Sequence, residues 1–302
     1  MNRRDFLYRS AIGGGVLLVP SLGSALSERR VPRLTILHTN DWHSRIDPFP
    51  DDGSRNARQG GAVRRAALID QIRAVEPEVL LLDSGDIFQG TPYFNFFLGE
   101  LEIKLMSQMG YDAATIGNHD FDGGLENLAS QSDSASFPLL NANYELGGTP
   151  LAERVKPYRV FERAGLRIGV FGLGIDLVGL VPPKLYGPIR YQDPVTVGNA
   201  TAERLKNEEG CDLVVCLSHL GFQYRDDKIS DVTLAAASRN IDLILGGHTH
   251  TFLDRPVVVD DADGRPVVIN QVGFAGLRLG RLDIAFPRTG EMKCIACSNL
   301  RV

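Results

Sequence analysis

Apolar and polar positions follow a repeating order along this chain: a short run of β-formers, a turn rich in Asn, Asp, Gly and His, then a stretch with helical spacing. The first run, Arg33 to Thr39, ends at Asn40-Asp41-Trp42-His43. Gly60-Gly61 then opens a predicted helix from Ala62 to Val75, with Val63, Ala66, Ala67, Ile69 and Ile72 as its apolar face and Pro77 closing it. The next run, Glu78 to Asp83, is continuously apolar, which predicts a strand buried on both faces, and it ends at Ser84-Gly85-Asp86. A predicted helix from Asn95 to Met109 leads to a strand from Asp112 to Ile116 and then to Gly117-Asn118-His119-Asp120-Phe121-Asp122. Gly123 to Gln131 reads as helix, and Pro138 to Asn143 as a short strand with an amide-rich end.

The second half repeats the order. Tyr158 to Glu162 and Leu166 to Leu173 form a predicted hairpin turning at Ala164-Gly165, and a proline-rich loop covers 182–194. A helix from Val195 to Glu209 precedes the strand Asp212 to Leu217, which ends at Ser218-His219. A helix from Ile229 to Asn240 precedes Ile241 to Leu245, which ends at Gly246-Gly247-His248-Thr249-His250. The tail, with runs at Pro256–Val259, Pro266–Ile269, Gly280–Phe286 and Met292–Ala296, reads as antiparallel β. Strands alternating with helices predict an α/β fold, and no internal repeat interrupts it.

Composition narrows this picture. The 302 residues, 43% hydrophobic, fit one large α/β domain or two small ones. The net charge is -5, with both signs interspersed, so neither a groove for a nucleic acid polymer nor a polybasic membrane patch is indicated. At the N-terminus, Arg3-Arg4 precede Phe6-Leu7, an apolar stretch from Ala11 to Leu22 and small residues ending at Ala25. This is the pattern of a twin-arginine export signal over 1–25, which makes the expected location periplasmic or otherwise exported. Gly13-Gly14-Gly15 and Pro20 argue against a stable membrane-spanning helix. Of the four cysteines, Cys211 and Cys216 are expected to be packed or disulfide-bonded, and Cys294-x-x-Cys297 lacks the βαβ context of a redox motif.

The chemistry collects at the strand ends, where open α/β sheets bind ligands. Asp41, His43, Asp86, Asn118, His119, His219, His248 and His250 all fall there. Five of the six histidines are in this set; His38, inside the first strand, reads as structural or as support for the others. Any one of these turns alone reads equally well as turn chemistry. Together they supply imidazole and carboxylate donors without thiolate, a set suited to divalent Zn, Mn, Fe or Co. Seven candidate ligands exceed what one ion takes, whereas two ions about 3.5–4 Å apart with a shared carboxylate would use them all. Such a pair can hold a hydroxide and bind phosphoryl oxygens, and an uncoordinated imidazole beside it, His119, can protonate a leaving oxygen.

These stretches resemble the calcineurin-like metallophosphoesterases, within them the 5′-nucleotidase and UDP-sugar hydrolase branch. The residues that carry the resemblance are Asn40-Asp41-x-His43, Gly85-Asp86-x-Phe88-x-Gly90, Gly117 to Asp122, Ser218-His219 and Gly247-His248-Thr249-His250, with Gln59-Gly60-Gly61 also similar. The resemblance implies a four-layer α/β/β/α sandwich forming a catalytic domain over 26–302, and two divalent ions. It implies Asp41, His43 and His250 on one ion and Asn118, His219 and His248 on the other, with Asp86 bridging. It further implies His119 as the acid or transition-state stabiliser on the phosphate side, oriented by Asp122. Asp120 stands where the family commonly has Glu.

Full-length nucleotidases of that branch carry a second, C-terminal domain whose aromatic pair stacks the base. The run to Val302 leaves no room for it, so the expected partner is a separate C-terminal nucleotidase-type substrate-binding chain, or else small, varied phosphoesters enter an open cleft. The leading expectation is an exported dinuclear phosphoesterase acting on nucleotides or related phosphomonoesters. The alternatives are a thiosulfate or sulfate-ester hydrolase of the same superfamily, and a non-catalytic metal-binding subunit of a two-chain nucleotidase.

Overall fold

The computed structural model describes residues 33–286 and 293–302; the expected export signal lies outside them. The elements run β1 (Arg33–Thr39), α1 (Ala62–Arg73), β2 (Val79–Asp83), α2 (Pro92–Phe97), α3 (Glu100–Met109), β3 (Ala113–Thr115), α4 (Leu125–Ser134), β4 (Leu139–Leu140) and β5 (Tyr144–Glu145). They continue with β6 (Tyr158–Arg163), β7 (Leu166–Leu173), α5 (Pro183–Tyr186), β8 (Arg190–Tyr191), α6 (Pro194–Asn207), β9 (Leu213–Ser218), α7 (Asp231–Ala237) and β10 (Leu243–Gly246). The last four strands are β11 (Val257–Asp260), β12 (Pro266–Asn270), β13 (Arg278–Ala285) and β14 (Lys293–Arg301).

One sheet has the strand order β14-β13-β1-β2-β3-β4, the other β11-β12-β10-β9-β7-β6. Because successive side chains of a strand point to opposite faces, each central strand feeds two cores. Ile36 of β1, Leu80 and Leu82 of β2, Val170 of β7, Val215 and Leu217 of β9 and Leu243 of β10 form the core between the sheets. Leu37 and Leu81 face the other way, onto Ile69 and Ile72 of α1 and Ile103 and Met106 of α3. Val214, Cys216 and Ile244 face outward on the second sheet, onto Leu205 of α6 and Leu234 of α7. Three cores between helices, sheet, sheet and helices make the α/β/β/α sandwich that the motifs imply. Consecutive burial across β2 is the reason its sequence does not alternate.

Four local expectations are corrected. The buried stripe of α1 is Ala62, Arg65, Ile69 and Ile72, while Val63 is 83% exposed. Arg65 takes the core position because its guanidinium lies 3.8 Å from the centroid of the Trp42 ring, an apolar surface that also attracts the cation. The single helix expected over Asn95–Met109 is two, broken at Leu98 and Gly99, both in the left-handed region. A Cβ at Gly99 would run into the Phe88 ring, so only glycine lets the chain pass there. The proline-rich loop contains the short α5 and β8, the latter pairing with β5. The tail is antiparallel as expected where β11 pairs with β12 and β13 with β14, but it divides between the sheets: β11 and β12 extend the second, where β12 is parallel to β10, and β13 and β14 extend the first.

His38 is fully buried, its Nε2 is 2.8 Å from the Asn270 amide, and burial lowers its pKa to about 3, so it stays neutral as a structural residue. Cys211 and Cys216 are free, buried thiols packed in the outer core of the second sheet, and Cys297 is disulfide-bonded.

Candidate metal centre

Three strands of the first sheet and two of the second end at the same edge. Past β1 come Asp41 and His43, past β2 Asp86, past β3 Asn118 and His119, past β9 His219, and past β10 His248 and His250. Asp41, His43, Asp86, His248 and His250 all have φ between 51° and 69°. Left-handed backbone is costly for side chains of this kind and persists where the surroundings impose it, most often at functional sites.

Backbone hydrogen bonds do the imposing. Asp41, His43 and Ser44 donate to the carbonyls of Gly85, Asp86 and Ile87 at 2.9–3.0 Å, so the two ligand loops form a short ladder. The buried Asp120 carboxylate accepts from the N–H groups of Gly117 (2.7 Å), Ile87 (2.8 Å), Asp86 (3.1 Å) and Phe88 (3.2 Å), fastening the second loop to the third. Gln271 reaches in from beyond β12: its amide donates to the Gly247 carbonyl at 2.6 Å, and its Oε1 accepts from Thr249 and from the Thr251 N–H. Asp231, at the start of α7, accepts from Ser218 Oγ at 2.5 Å, and burial pushes its carboxyl up to about 8. Sequence reasoning did not assign Gln271 or Asp231; Asp231 follows the helix-capping Ser230, the one local sign of it, and Gln271 has none.

The side chains assemble as two triads, Asp41-His43-His250 and Asp86-His219-His248, each with donor atoms within 4.8 Å of one another. Asp86 stands between them, with Oδ2 3.1 Å from His219 Nε2 and 3.8 Å from His43 Nε2. Asn118 Oδ1 lies 2.9 Å from His248 Nδ1, which puts the amide oxygen with the second triad. His119 sits beside the first, its ring 5.3 Å from that of His43, its N–H donating to Asp86 Oδ1 and its Nδ1 2.8 Å from Asp122 Oδ2. All nine sequence-predicted residues therefore meet at one edge.

The arrangement suits cations. His219 Nδ1 donates to the Ser84 carbonyl at 2.6 Å, so the buried Nε2 presents a lone pair toward Asp86 and has no hydrogen-bond partner among the described residues. His43 Nδ1 lies 3.3 Å and 3.1 Å from the carbonyls of Phe88 and Gln89, leaving its Nε2 lone pair 2.9 Å from His250 Nε2. At His219 Nε2 and the Asp86 carboxylate an acceptor faces an acceptor, which needs positive charge between them. A proton can take that place: burial alone would lower His219, but the Asp86 carboxylate reverses this and carries it up to about 10. Burial would likewise raise Asp86, and the His219 charge holds it below the usual carboxylate range. Burial lowers His43, and lowers His248 to about 4, so both are neutral donors at pH 7. His119 moves the other way, raised chiefly by its hydrogen bond to Asp122.

A profile of the calcineurin-like phosphoesterase family matches residues 34–252. The 5′-nucleotidase of Bos taurus is 33% identical over 302 aligned residues, covering 91% of this chain and 50% of that protein. The trifunctional nucleotide phosphoesterase YfkN of Bacillus subtilis is 30% identical, covering 89% of this chain and 19% of its own length. The crystal structure of a 5′-nucleotidase precursor from Thermus thermophilus superposes with a TM-score of 0.82 at 31% identity, over 89% of this chain and 54% of that one. The chain spans about half the length of the curated nucleotidases it matches. That family works with divalent metal ions, two triads here could hold them, and the sandwich is the family's fold: the chain belongs to the calcineurin-like phosphoesterases.

Proposed function

We propose that this chain is the catalytic domain, over 26–302, of an exported dinuclear phosphoesterase that hydrolyses nucleotides or related small phosphomonoesters. The observation that carries the reading is the placement of Asp86 Oδ2 between His219 Nε2 and His43 Nε2, 3.1 and 3.8 Å away, with one donor triad on each side. Asp41, His43 and His250 would hold one divalent ion, Asn118, His219 and His248 the other, and Asp86 both. When bound, such ions supply Lewis acidity at the phosphoryl oxygens and lower the pKa of an attacking water.

The chain's own residues do the rest. Ser84 and the carbonyls of Phe88 and Gln89 fix the imidazole tautomers, so the donors keep their orientation between turnovers. His119, with its Nδ1 on Asp122, carries a proton on Nε2 for the leaving oxygen, and the raised pKa keeps that proton available near neutral pH. Export rests on the twin-arginine pattern of the first 25 residues. Base recognition is assigned to a C-terminal nucleotidase-type segment or chain of the kind that completes the longer relatives.

Chelation should abolish hydrolysis of 4-nitrophenyl phosphate, Mn or a similar divalent ion should restore it, and metal analysis of the reactivated protein should find two ions per chain. Full activity with one ion per chain sinks the dinuclear reading.

A further inference from the structure

Next to the first triad lies a cavity of about 260 Å3 that the chemistry above does not use. Phe252 and Phe274 form its apolar wall, and Arg55, Arg278 and Arg301 bring three guanidinium groups to its rim. Its position is fixed by ring contacts: Phe274 stacks on His250 at 4.9 Å between centroids and 13° between planes, and Phe252 meets Phe274 edge-on at 5.9 Å. One aromatic ring thus separates the cavity from a proposed metal ligand.

The charges are placed at a cost. Arg278 and Arg301 are direct cross-strand partners of β13 and β14, and like charges opposite one another weaken a sheet. Arg278 is partly answered by the Leu253 carbonyl at 3.3 Å, by Asp254 Oδ1 at 3.4 Å and by the Phe252 face at 5.0 Å. Asp254 is 93% exposed, so the pair is weak. Arg55 and Arg301 have no ion-pair partner among the described residues. Their convergence is built into the backbone: the Gly60 N–H donates to the Val302 carbonyl at 2.9 Å, and Gln59 Nε2 to the Arg55 carbonyl at 2.8 Å, which ties the Arg55 loop to the strand end that carries Arg301. A cleft that gathers three guanidinium groups around a small apolar floor, with one exposed carboxylate to balance them, is complementary to an anion attached to a flat or apolar body.

We propose that this cavity binds a second phosphate of the substrate, remote from the one that is hydrolysed, so that the preferred substrates are small bisphosphorylated compounds such as a nucleoside 3′,5′-bisphosphate. The inference rests on the reading of the triads as the phosphoester-cleaving centre. The second phosphate lies between Arg55 and Arg301, Arg278 supports it from the same rim, and Phe252 and Phe274 pack against the sugar or ring that carries it.

The test compares adenosine 3′,5′-bisphosphate with AMP, which differ only in the second phosphate, on the metal-reconstituted protein and on an Arg55→Gln/Arg301→Gln variant. The expected kcat/KM ratio of bisphosphate to AMP is tenfold or more in the wild type and falls to near one in the variant, while Arg55→Lys/Arg301→Lys keeps most of it. Calorimetric titration of both compounds into the chelator-treated protein should show the same preference and the same loss, with no turnover required. A wild-type ratio near one, in turnover and in binding, overturns the second-phosphate site, as does a preference that survives in the glutamine variant. Failure of the wild type to hydrolyse even 4-nitrophenyl phosphate overturns the triad reading instead, and the calorimetric arm still decides the cavity.

Discussion

Replacing Asp120 by alanine removes a buried carboxylate that joins two ligand loops. Four backbone N–H groups point at it, two of them at 2.7 and 2.8 Å, and the residue is 2% exposed. Each buried donor left unpaired costs about 1–3 kcal/mol, so losing the two short bonds alone costs about 4 kcal/mol. Domains of this kind have a total stability of about 5–15 kcal/mol, so the substitution consumes a large share of it. With a urea slope of about 2–3 kcal/mol/M, the midpoint falls by about 1.3–2 M. Asp120→Asn keeps one acceptor but turns an amide N–H₂ toward the remaining donors, and should lose about half as much. Because burial, with the Asp86 charge adding to it, pushes this carboxyl up to about 7, the comparison belongs at pH 8, where it is ionised. The assay is equilibrium urea unfolding of metal-free protein followed by circular dichroism, together with the affinity for the restoring metal ion. The alanine variant should also bind that ion about 10–100-fold more weakly, since Asp86 loses its anchor. A midpoint shift under about 0.3 M with unchanged metal affinity would refute the idea that Asp120 sets the ligand geometry.

Three other buried groups share a pH signature: burial takes Asp83 up to about 7 and Asp231 to about 8, and the Asp86 charge holds His219 near 10. A folded pKa above the unfolded value means stability is lost as pH rises toward it, so the urea midpoint of metal-free protein should fall steadily from about pH 6.5 to 8.5, and a flat or rising midpoint contradicts this. His119→Ala should slow ribose 5-phosphate about 10²–10⁴-fold and nitrophenyl phosphate far less, because a nitrophenolate leaves without a proton. Asp122→Asn removes the partner that raises His119, so the alkaline limb of the rate profile for poor leaving groups should move to lower pH; equal losses on both substrates would mean His119 binds rather than donates. On this chain alone, AMP should exceed ribose 5-phosphate by less than about tenfold in kcat/KM, since the triads and the His119–Asp122 pair all address the phosphate; a preference of several orders of magnitude would put base recognition within these residues.

What the sequence made legible is whatever depends on neighbours along the chain. Each ligand-bearing turn follows its own strand, so the strand supplies the direction and the turn supplies the donor, and both can be read within ten residues. Runs of β-formers likewise located β1, β2, β7, β9 and β10, and helical spacing located α1, α3, α4, α6 and α7. What stayed hidden is set by contacts between distant segments. Arg65 reads as surface by type, and only the Trp42 ring above it makes it a core residue. Gln271 lies in an apolar tail, and its hold on the His248–His250 turn exists only because β12 pairs with β10. Asp120 stands inside a turn rich in polar residues, and nothing local separates it from Asp122, yet one carboxylate takes backbone donors from another loop and the other takes an imidazole. The same dependence on register applies to the arginine-lined cavity: Arg278 and Arg301 are separated by 22 intervening residues, and their meeting follows from the β13–β14 pairing, in which Arg278 stands opposite Arg301. The donor triads are therefore written in local turns, whereas the arginine-lined cavity is written in strand register. Substitutions that shift the β13–β14 pairing by one residue should change substrate preference while leaving the donor triads assembled, because Arg301 would move to the opposite face of the sheet.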